Sequence, residues 1–279
     1  MRTAKGLIVG LLILVGVAGA CSEDDAEPGL LRVATTTSLY DTGLWDVLEP
    51  VFEEETGIDL DVIYAGTGVA LEHGRNGDVD LIAVHSRERE LTYVADGYGV
   101  ERVPFACNSF LLVGPASDPA GLAGLSAEDA FARLAELQTG QFVSRGDDSG
   151  THGREKSIWA ALGYDYETIR TGGDWYVEAG AGMGPTLVIA DEKLAYTLSD
   201  IGTFLSYSDD IDLVALVEQG ELLANVYSVI VGAETDEAEA ANELVRFMTS
   251  PAIQAVIGEF GIAEFGRSLF DACAGTPGL

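Results

Sequence analysis

Short apolar segments alternate with amphipathic segments along most of this chain, and this alternation constrains the fold more than any other feature. The first unit has an apolar run at residues 31–34, an amphipathic segment at 44–55 and another apolar run at 58–65. The middle segment repeats its apolar residues with the period of an α-helix, and the two apolar runs have the length of buried strands. Repeated strand–helix units of this kind predict an α/β fold with parallel strands.

A break in the alternation indicates two lobes. Apolar runs at 110–113 and 225–231 flank the middle third of the chain, and a Gly- and Pro-containing segment at 114–119 follows the first of them. We expect each lobe to be a mostly parallel sheet flanked by helices. A ligand cleft is expected between the lobes, because open parallel sheets bind ligands beyond the carboxyl ends of their strands. The predicted boundaries are 31–113 with 226–279 for lobe 1, and 114–225 for lobe 2.

The first 20 residues have the pattern of an export signal. A basic start precedes an apolar run at 6–17, which is too short to span a bilayer, and small residues lead directly into Cys21. The junction resembles a bacterial lipobox, so we expect residues 1–20 to be a lipoprotein signal peptide and Cys21 to carry a lipid. The protein would then be anchored on the extracytoplasmic face of the membrane, whereas plain secretion is the alternative. The acidic segment 21–30 is expected to be a tether.

The charge of the chain argues against nucleic acid as a partner. The sequence has 15 Lys and Arg against 46 Asp and Glu, a formal net charge of -31, and no cluster of basic residues. Such a chain repels phosphate backbones. We interpret the acidic excess as a solvated surface suited to a saline medium.

The two remaining cysteines, Cys107 and Cys273, are candidates for a disulfide, because an exported chain leaves the reducing cytoplasm. Two separate buried thiols are the alternative. No metal site is predicted, since neither cysteine lies in a CxxC motif and the histidines, His73, His85 and His152, are scattered.

Three segments that follow predicted strands are rich in hydroxyl-bearing and glycine residues. Their sequences are TTTS at 35–38, GTG at 66–68 and RGDDSGT at 145–151. Each precedes a predicted helix, whose first N–H groups are free, and Ser and Thr add neutral donors. Arg145 can add a bidentate charged contact. Together the segments predict a cradle for an oxyanion, although for any single segment an ordinary helix N-cap is the alternative.

Five stretches of the sequence resemble a known family. ATTTS, GTGVAL, DVDLIAVHSRERE, SRGDDSGTH and GAGMGPTLVIADEKLAYTLSD are similar to stretches of the tungstate-binding proteins of bacterial tungstate ABC transporters. The resemblance covers nearly the whole mature chain. TTTS together with SRGDDSGT is specific for this family, whereas RxDxSGT alone also resembles phosphate-binding proteins.

The resemblance implies a type II periplasmic-binding-protein fold that closes on tungstate, with molybdate as a competitor, and docks on a permease served by an ATPase subunit. It implies a binding protein that is no enzyme and has no cofactor, and we expect a monomer. Its implied oxyanion-contacting residues are Thr36, Thr37, Ser38, Thr67, Gly68, Arg145, Ser149, Gly150 and Thr151. One departure is Ile201, where members of the family often carry Arg.

Several alternatives stay open at this stage. A phosphate- or sulfate-binding protein would have the same architecture, and an Asp147 or Asp148 side chain pointing into the cradle would favour protonated phosphate. A secreted hydrolase using Ser149 and His152 is the alternative from another class, but a GxSxG motif is lacking. A surface adhesin is a further alternative. The loop at 180–184 is interpreted as a helix entry with a buried Met rather than as a fourth anion loop, and the acidic and basic residues at 85–90 as surface ion pairs.

Overall fold

The computed structural model describes residues 29–138 and 140–276. The predicted signal peptide, Cys21 and the predicted tether up to residue 28 lie outside the described residues. Gly29 and Leu30, which we assigned to the tether, instead begin the first strand and pair with the second one. None of the described helices has both the length and the apolar character that crossing a bilayer requires.

The described part of the chain alternates strands and helices as the sequence predicts. The strands are β1 (Gly29–Thr36), β2 (Ile58–Ala65), β3 (Leu81–Val84), β4 (Gly99–Pro115), β5 (Phe142–Ser144), β6 (Tyr176–Glu178), β7 (Thr197–Asp200), β8 (Leu213–Val217), β9 (Ala224–Gly232) and β10 (Asp271–Ala272). The helices are α1 (Thr37–Tyr40), α2 (Leu44–Thr56), α3 (Thr67–Asn76), α4 (Arg87–Ala95), α5 (Ala127–Leu137), α6 (Gly150–Ala161), α7 (Tyr166–Arg170), α8 (Met183–Glu192), α9 (Ile201–Ser206), α10 (Ala238–Thr249), α11 (Pro251–Glu259) and α12 (Ile262–Phe265), with a 3₁₀ turn at Glu221–Leu223.

One long strand replaces two shorter predicted ones. The sequence predicts separate strands at 103–107 and 110–113, but β4 runs through both as a single strand of 17 residues. The polar residues between them, Asn108 and Ser109, continue the ladder by pairing with Asn225 and Ala224 of β9. Backbone pairing with a neighbouring strand therefore overrides the local break in apolar character.

The two-lobed α/β fold is confirmed, but its sheets are mixed rather than mostly parallel. In lobe 1 the strand order is β10-β4-β9-β3-β1-β2, where β1 pairs in parallel with β2 and β3. Strand β9 enters this sheet between β3 and β4 and runs antiparallel to both. Strand β9 comes back from lobe 2 directly into this sheet. A parallel arrangement would need a crossover connection, usually a helix, before the strand, and none precedes β9 here. In lobe 2, β4 pairs antiparallel with β7 and β8, while β5 and β6 are parallel.

Each lobe has its own apolar core, and β4 contributes to both. Phe105 packs with residues such as Trp45 in the core of lobe 1, whereas Phe110 packs with residues such as Trp159 in that of lobe 2. Leu111 and Val113 also pack among lobe 2 residues. We therefore propose that the chain crosses between the lobes at the paired residues 108 and 225, a few residues before the boundary at 113 that the sequence suggests.

A disulfide joins Cys107 to Cys273. Cys107 precedes the proposed crossing point on β4 and pairs with Asp271 of the short strand β10. The bond therefore fastens the C-terminal segment to the strand that continues into lobe 2.

Candidate functional site

All the residues predicted to contact an oxyanion line one cavity, which lies between the lobes and has a volume of about 1050 Å³. The cavity is bounded on one side by residues that follow β1 and β2, and on the other by residues that follow β5. The predicted residues brought together here are Thr36, Thr37, Ser38, Thr67, Gly68, Arg145, Ser149, Gly150 and Thr151.

Three helices begin at this cavity, and six of the nine predicted residues occupy their first two positions. Helix α1 has Thr36 as its N-cap, α3 has Gly66, and α6 has Ser149. The N–H groups at the first positions of a helix have no acceptor four residues earlier in that helix. They are available to an anion, which the positive end of the helix dipole also favours, although α1 is only four residues long and its dipole is small. The residues at these positions are Thr37, Ser38, Thr67, Gly68, Gly150 and Thr151.

Capping and ligand binding use different parts of the same hydroxyl groups. Thr36 Oγ1 accepts the N–H of Leu39 at 3.4 Å, and Ser149 Oγ accepts the N–H of His152 at 3.3 Å. A hydroxyl that accepts through its oxygen still has its own hydrogen to donate. The N-cap interpretation and the oxyanion interpretation of these residues are therefore compatible.

Arg145 is held in the cavity by the carboxylate next to it. Its NH2 group lies 2.6 Å from Oδ2 of Asp147, and Oδ1 of Asp147 accepts the N–H of Ser149 at 3.2 Å. Burial alone would raise the pKa of Asp147, but hydrogen bonds from Ser149 and the charge of Arg145 hold that pKa below its usual value. The ionised Asp147 therefore fixes the guanidinium and caps the loop at once.

Asp148 faces a different cation. Its side chain is 82% exposed, and Oδ1 lies 2.5 Å from Nζ of Lys156 at the rim of the cavity. The hydrogen bond and the charge of Lys156 lower the pKa of Asp148. Both carboxylates of the third loop are thus ionised and paired with cations; the other carboxylates that line the cavity are those of Glu72 and Glu88.

Within the described part of the chain, two buried polar atoms of cavity residues have no hydrogen-bond partner. They are Oγ1 of Thr67, a residue that is 2% exposed, and Nε of Arg145. Buried polar groups in folded proteins almost always have partners, because leaving one unpaired costs about 1–3 kcal/mol. A hydroxyl and a guanidinium N–H that both lack partners in one cavity therefore indicate a site for a ligand that accepts hydrogen bonds.

His85 is a cavity residue that the sequence interpretation missed. We assigned residues 85–90 to surface ion pairs, which is wrong for two of them: His85 is 6% exposed and lines the cavity, and Glu90 is fully buried and pairs with Arg102 at 2.5 Å. His85 directly follows β3, whose four residues are all buried. Its position at the carboxyl end of a strand that pairs with β1 is the signal that could have identified it.

The ring of His85 is bonded on both sides. Nε2 lies 3.1 Å from Oγ of Ser38, and Nδ1 lies 2.8 Å from Oδ1 of Asn225. Burial, together with the charges of Arg154 and Arg145, lowers the pKa of His85 to about 4. The imidazole is therefore neutral at pH 7.

The loop at 180–184 contributes both to a core and to the lining of a second cavity. Met183 is buried in the core of lobe 2, as the sequence predicts, and the loop also lines a second cavity of about 490 Å³ that shares Arg145 with the first. Ile201, the departure from the family pattern, is 4% exposed and packs in the same core.

The geometry around Ser149 does not favour a Ser–His pair. Nδ1 of His152 accepts the N–H of Asp148 at 2.9 Å, and Nε2 lies 2.6 Å from the hydroxyl of Tyr166. Both ring nitrogens are therefore engaged by groups other than the Ser149 hydroxyl, which caps α6. Across residues 29–138 and 140–276, the structure has no group of three or more His, Cys, Asp or Glu that could hold a metal ion.

Comparison with known proteins identifies the family. A family model described as a PBP superfamily domain matches residues 22–252. The chain is 43% identical to the tungstate-binding protein TupA of Peptoclostridium acidaminophilum, over 97% of this chain and 98% of that protein. This chain belongs to the TupA family of the PBP superfamily. The family that the sequence motifs indicate is therefore confirmed.

Solved structures of TupA-like proteins have the same fold. The tungstate-binding protein TupA from Desulfovibrio alaskensis G20 is 39% identical and superposes with a TM-score of 0.80, over 88% of this chain and 99% of that one. A structure described as the tungstate ABC transporter from Geobacter sulfurreducens is 40% identical, with a TM-score of 0.71 over 83% of this chain and 98% of that one.

Proposed function

We propose that this protein captures tungstate outside the cytoplasm by closing its two lobes on the oxyanion, and delivers it to an ABC permease with its ATPase subunit. The observation that carries this proposal is the pair of buried, unpartnered donors, Thr67 Oγ1 and Arg145 Nε, in the cavity where three helices begin. The TupA names of the relatives support tungstate as the ligand.

The chemistry of the lining supports a fully deprotonated tetrahedral oxyanion. Such an anion has only lone pairs, so it needs donors, and the lining supplies hydroxyl groups, helix N–H groups and the guanidinium groups of Arg75, Arg89 and Arg145. Protonated phosphate also needs an acceptor, and the carboxylates of the third loop, Asp147 and Asp148, are already paired with cations. The other carboxylates of the lining belong to α3 and α4, at Glu72 and Glu88. Molybdate has the same charge and shape as tungstate and is the expected competitor.

The ligand is expected to close the lobes because each lobe supplies part of the donor set. Helices α1 and α3 pack on the sheet of lobe 1, whereas Arg145 and α6 belong to lobe 2. A ligand held by both sets stabilises the closed arrangement, because only that arrangement makes all the contacts at once.

The acidic surface does not prevent anion binding. Charges at the surface are screened over about 8 Å at physiological salt, while the groups that line the cavity act at contact distance. These groups include the cations Arg75, Arg89 and Arg145 beside the carboxylates of Glu72, Glu88, Asp147 and Asp148. The overall net charge of -31 therefore says little about the local potential.

The remaining parts of the proposal concern the setting of the protein. A lipid on Cys21 would tether a monomer to the extracytoplasmic face of the membrane, where it meets the permease. Binding without catalysis is supported by the names of the relatives and by the engagement of both ring nitrogens of His152 away from Ser149.

Calorimetry and thermal unfolding with tungstate, molybdate, sulfate and phosphate at fixed salt test the proposal. A ligand at about 1,000 times its Kd should stabilise the fold by about 4 kcal/mol. Arg145→Ala should weaken tungstate binding by about 10- to 100-fold, the usual cost of losing charged hydrogen bonds. The matched control is Arg133→Ala in α5, an exposed arginine that donates to the carbonyl of Gly121 at 2.8 Å and should leave Kd unchanged.

The outcomes separate ligand from architecture. Preference for phosphate over tungstate would show that the ligand is wrong although the cradle is right. If none of the four anions binds, the proposed function itself fails.

A further inference from the structure

A buried chain of hydrogen bonds runs from the first loop of the cavity to the two strands that cross between the lobes. Ser38 Oγ lies 3.1 Å from His85 Nε2, and His85 Nδ1 lies 2.8 Å from Asn225 Oδ1. The amide nitrogen of Asn225 donates to Asn108 Oδ1 and to the hydroxyl of Tyr227, each at 2.9 Å. Because this nitrogen is committed to two acceptors, the side of Asn225 that faces His85 is its carbonyl oxygen.

The direction of each proton follows from this orientation. A carbonyl oxygen only accepts, so Nδ1 of His85 carries the hydrogen and Nε2 of the neutral ring is a bare acceptor. The hydroxyl of Ser38 then donates to Nε2. Ser38 has a single hydrogen, so while His85 is neutral the Ser38 hydroxyl has no donor left for an oxyanion. Its oxygen lies 3.4 Å from Thr36 Oγ1 and can only accept from it.

The ring of His85 lies at the meeting point of the cavity loops. An ideal Cβ built on Gly150 would lie 2.9 Å from His85 Nε2 and 3.4 Å from Thr67 Oγ1, so the first turn of α6 lies directly against this nitrogen and next to the start of α3. An anion held between these helices therefore lies beside the ring.

We infer that binding of a fully deprotonated oxyanion brings one proton from solvent onto Nε2 of His85, which turns Ser38 from an acceptor into a donor for the ligand. The protonated ring donates from Nε2 to Ser38 Oγ, and the Ser38 hydrogen is released to point at the oxyanion. No covalent bond other than the new N–H forms or breaks. This inference rests on the proposed function and adds a specificity-determining role for His85.

The charged groups around the ring explain why His85 is protonated only when the ligand is bound. Arg154 and Arg145 face His85 from lobe 2 and, together with burial, favour its neutral form, with a pKa of about 4. Tyr227 of β9 also lies near the ring: its ring centroid is 4.8 Å away, and burial raises its pKa. Helix α4 adds three charged residues that line cavities together with His85, namely Arg87, Glu88 and Arg89.

A bound dianion reverses the balance at His85. Its two negative charges offset the two arginines and attract a positive ring, so the pKa of His85 rises in the complex. Above this new pKa the ring stays neutral in both states, and below about pH 4 it is protonated in both. Between those limits, binding takes up a proton, and Kd falls by up to about tenfold for each pH unit that the solution is made more acidic.

Isothermal titration of the purified protein with micromolar tungstate measures the proton directly. At about pH 6, in two buffers of different ionisation enthalpy, the observed heats should differ by an uptake of up to about one proton, and the difference should vanish at about pH 8. His85→Gln supplies a permanent amide donor to Ser38, so it should bind without proton uptake and lose the tightening of Kd with acidity. His73→Gln is the matched control, because His73 pairs with Asp78 away from the cavity and should leave the uptake unchanged.

Each other outcome is decisive. Tungstate binding without proton uptake at pH 6 would overturn the inference and leave the proposed function intact, whereas failure of every oxyanion to bind would remove both. Uptake that persists in His85→Gln but is lost in His152→Gln would assign the proton to another histidine and overturn the inference too. If His85→Gln does not fold, imidazole nitrogen NMR on the unaltered protein gives the answer: tungstate at pH 6 must convert His85 from its Nδ1–H form to the imidazolium.

Discussion

Gly150 of lobe 2 lies directly against His85 of lobe 1: a Cβ added to Gly150 would be 2.8 Å from Cε1 of the imidazole ring. Real Cβ atoms essentially never approach another heavy atom so closely. The absence of a side chain at Gly150 is therefore what lets the first turn of α6 close on the residues after β3. This contact joins the two lobes at the wall of the candidate site.

Gly150→Ala is expected to hold the lobes apart at this point and weaken tungstate binding. Overpacking of a close contact costs about 1–3 kcal/mol, which corresponds to about a 5- to 150-fold increase in Kd, measurable by calorimetry. The control is Gly153→Ala on the same helix, where an added Cβ has nothing within 4 Å. It should leave Kd unchanged and raise stability by up to about 1 kcal/mol through helix propensity. Equal affinities of the two variants would contradict the prediction.

Thr67→Val is expected to separate binding from stability. The hydroxyl of Thr67 is buried without a partner, so replacing it by a methyl group of similar shape should not lower the free energy of unfolding. Tungstate affinity should nevertheless fall by about 3- to 10-fold, since one donor to the anion is lost.

Thr35→Val is the matched control for this comparison. Thr35 Oγ1 donates to the carbonyl of Ala83 at 3.1 Å and accepts from Nε1 of Trp45 at 3.2 Å. This variant should lose about 1 kcal/mol or more of stability in denaturant unfolding and keep its affinity. If Thr67→Val destabilises the protein while tungstate affinity is unchanged, the hydroxyl has a structural role instead.

Much of the site could be predicted because its chemistry is local. Free N–H groups lie at the edge of a sheet wherever a strand is followed by Ser, Thr or Gly and then by a helix, independently of the rest of the fold. Thr37 and Gly150 can therefore be identified from their neighbours in the sequence. His85 was not, because its role depends on Asn225, which is 140 residues away. The antiparallel pairing of β9 with β3 could not be predicted from the sequence for the same reason. The partners of β9 are set by where the chain crosses between the lobes and not by the residues of β9 itself.

The disulfide should stabilise the fold without affecting the ligand. Cys107 and Cys273 are 166 residues apart in sequence, so the bond restricts a long loop of the unfolded chain, and its loss should cost about 2–5 kcal/mol. We expect the double variant Cys107→Ala, Cys273→Ala to unfold at lower denaturant concentration and to bind tungstate with unchanged Kd, because neither residue lines the cavity. Unchanged unfolding in this variant, and in the parent protein after reduction, would contradict the role given to the bond.

Glu155 lies beneath the third loop, on α6, and is 2% exposed. It accepts hydrogen bonds from the hydroxyls of Ser144 at 2.6 Å and Tyr176 at 2.5 Å, and from Nε1 of Trp159 at 3.1 Å. Burial raises its pKa to about 7, although these hydrogen bonds oppose the increase.

The raised pKa of Glu155 predicts a pH-dependent stability. The folded state binds the proton more tightly than the unfolded state, whose carboxyl has the usual pKa of 4.5, so this stabilisation is complete below pH 4.5 and is lost as the pH rises through about 7. Glu155→Gln cannot titrate, and the free energy of unfolding of the parent protein should therefore fall relative to that of the variant between about pH 5 and 8. Urea unfolding at several pH values measures this difference. Any effect of the amide on stability that does not depend on pH is the same at each pH value, so it does not alter how the difference changes with pH. The control is Glu136→Gln at an exposed position of α5, whose free energy of unfolding should change with pH as that of the parent protein does. If the free energies of unfolding of the parent protein and Glu155→Gln change with pH in parallel, the carboxyl of Glu155 titrates normally and the prediction is wrong.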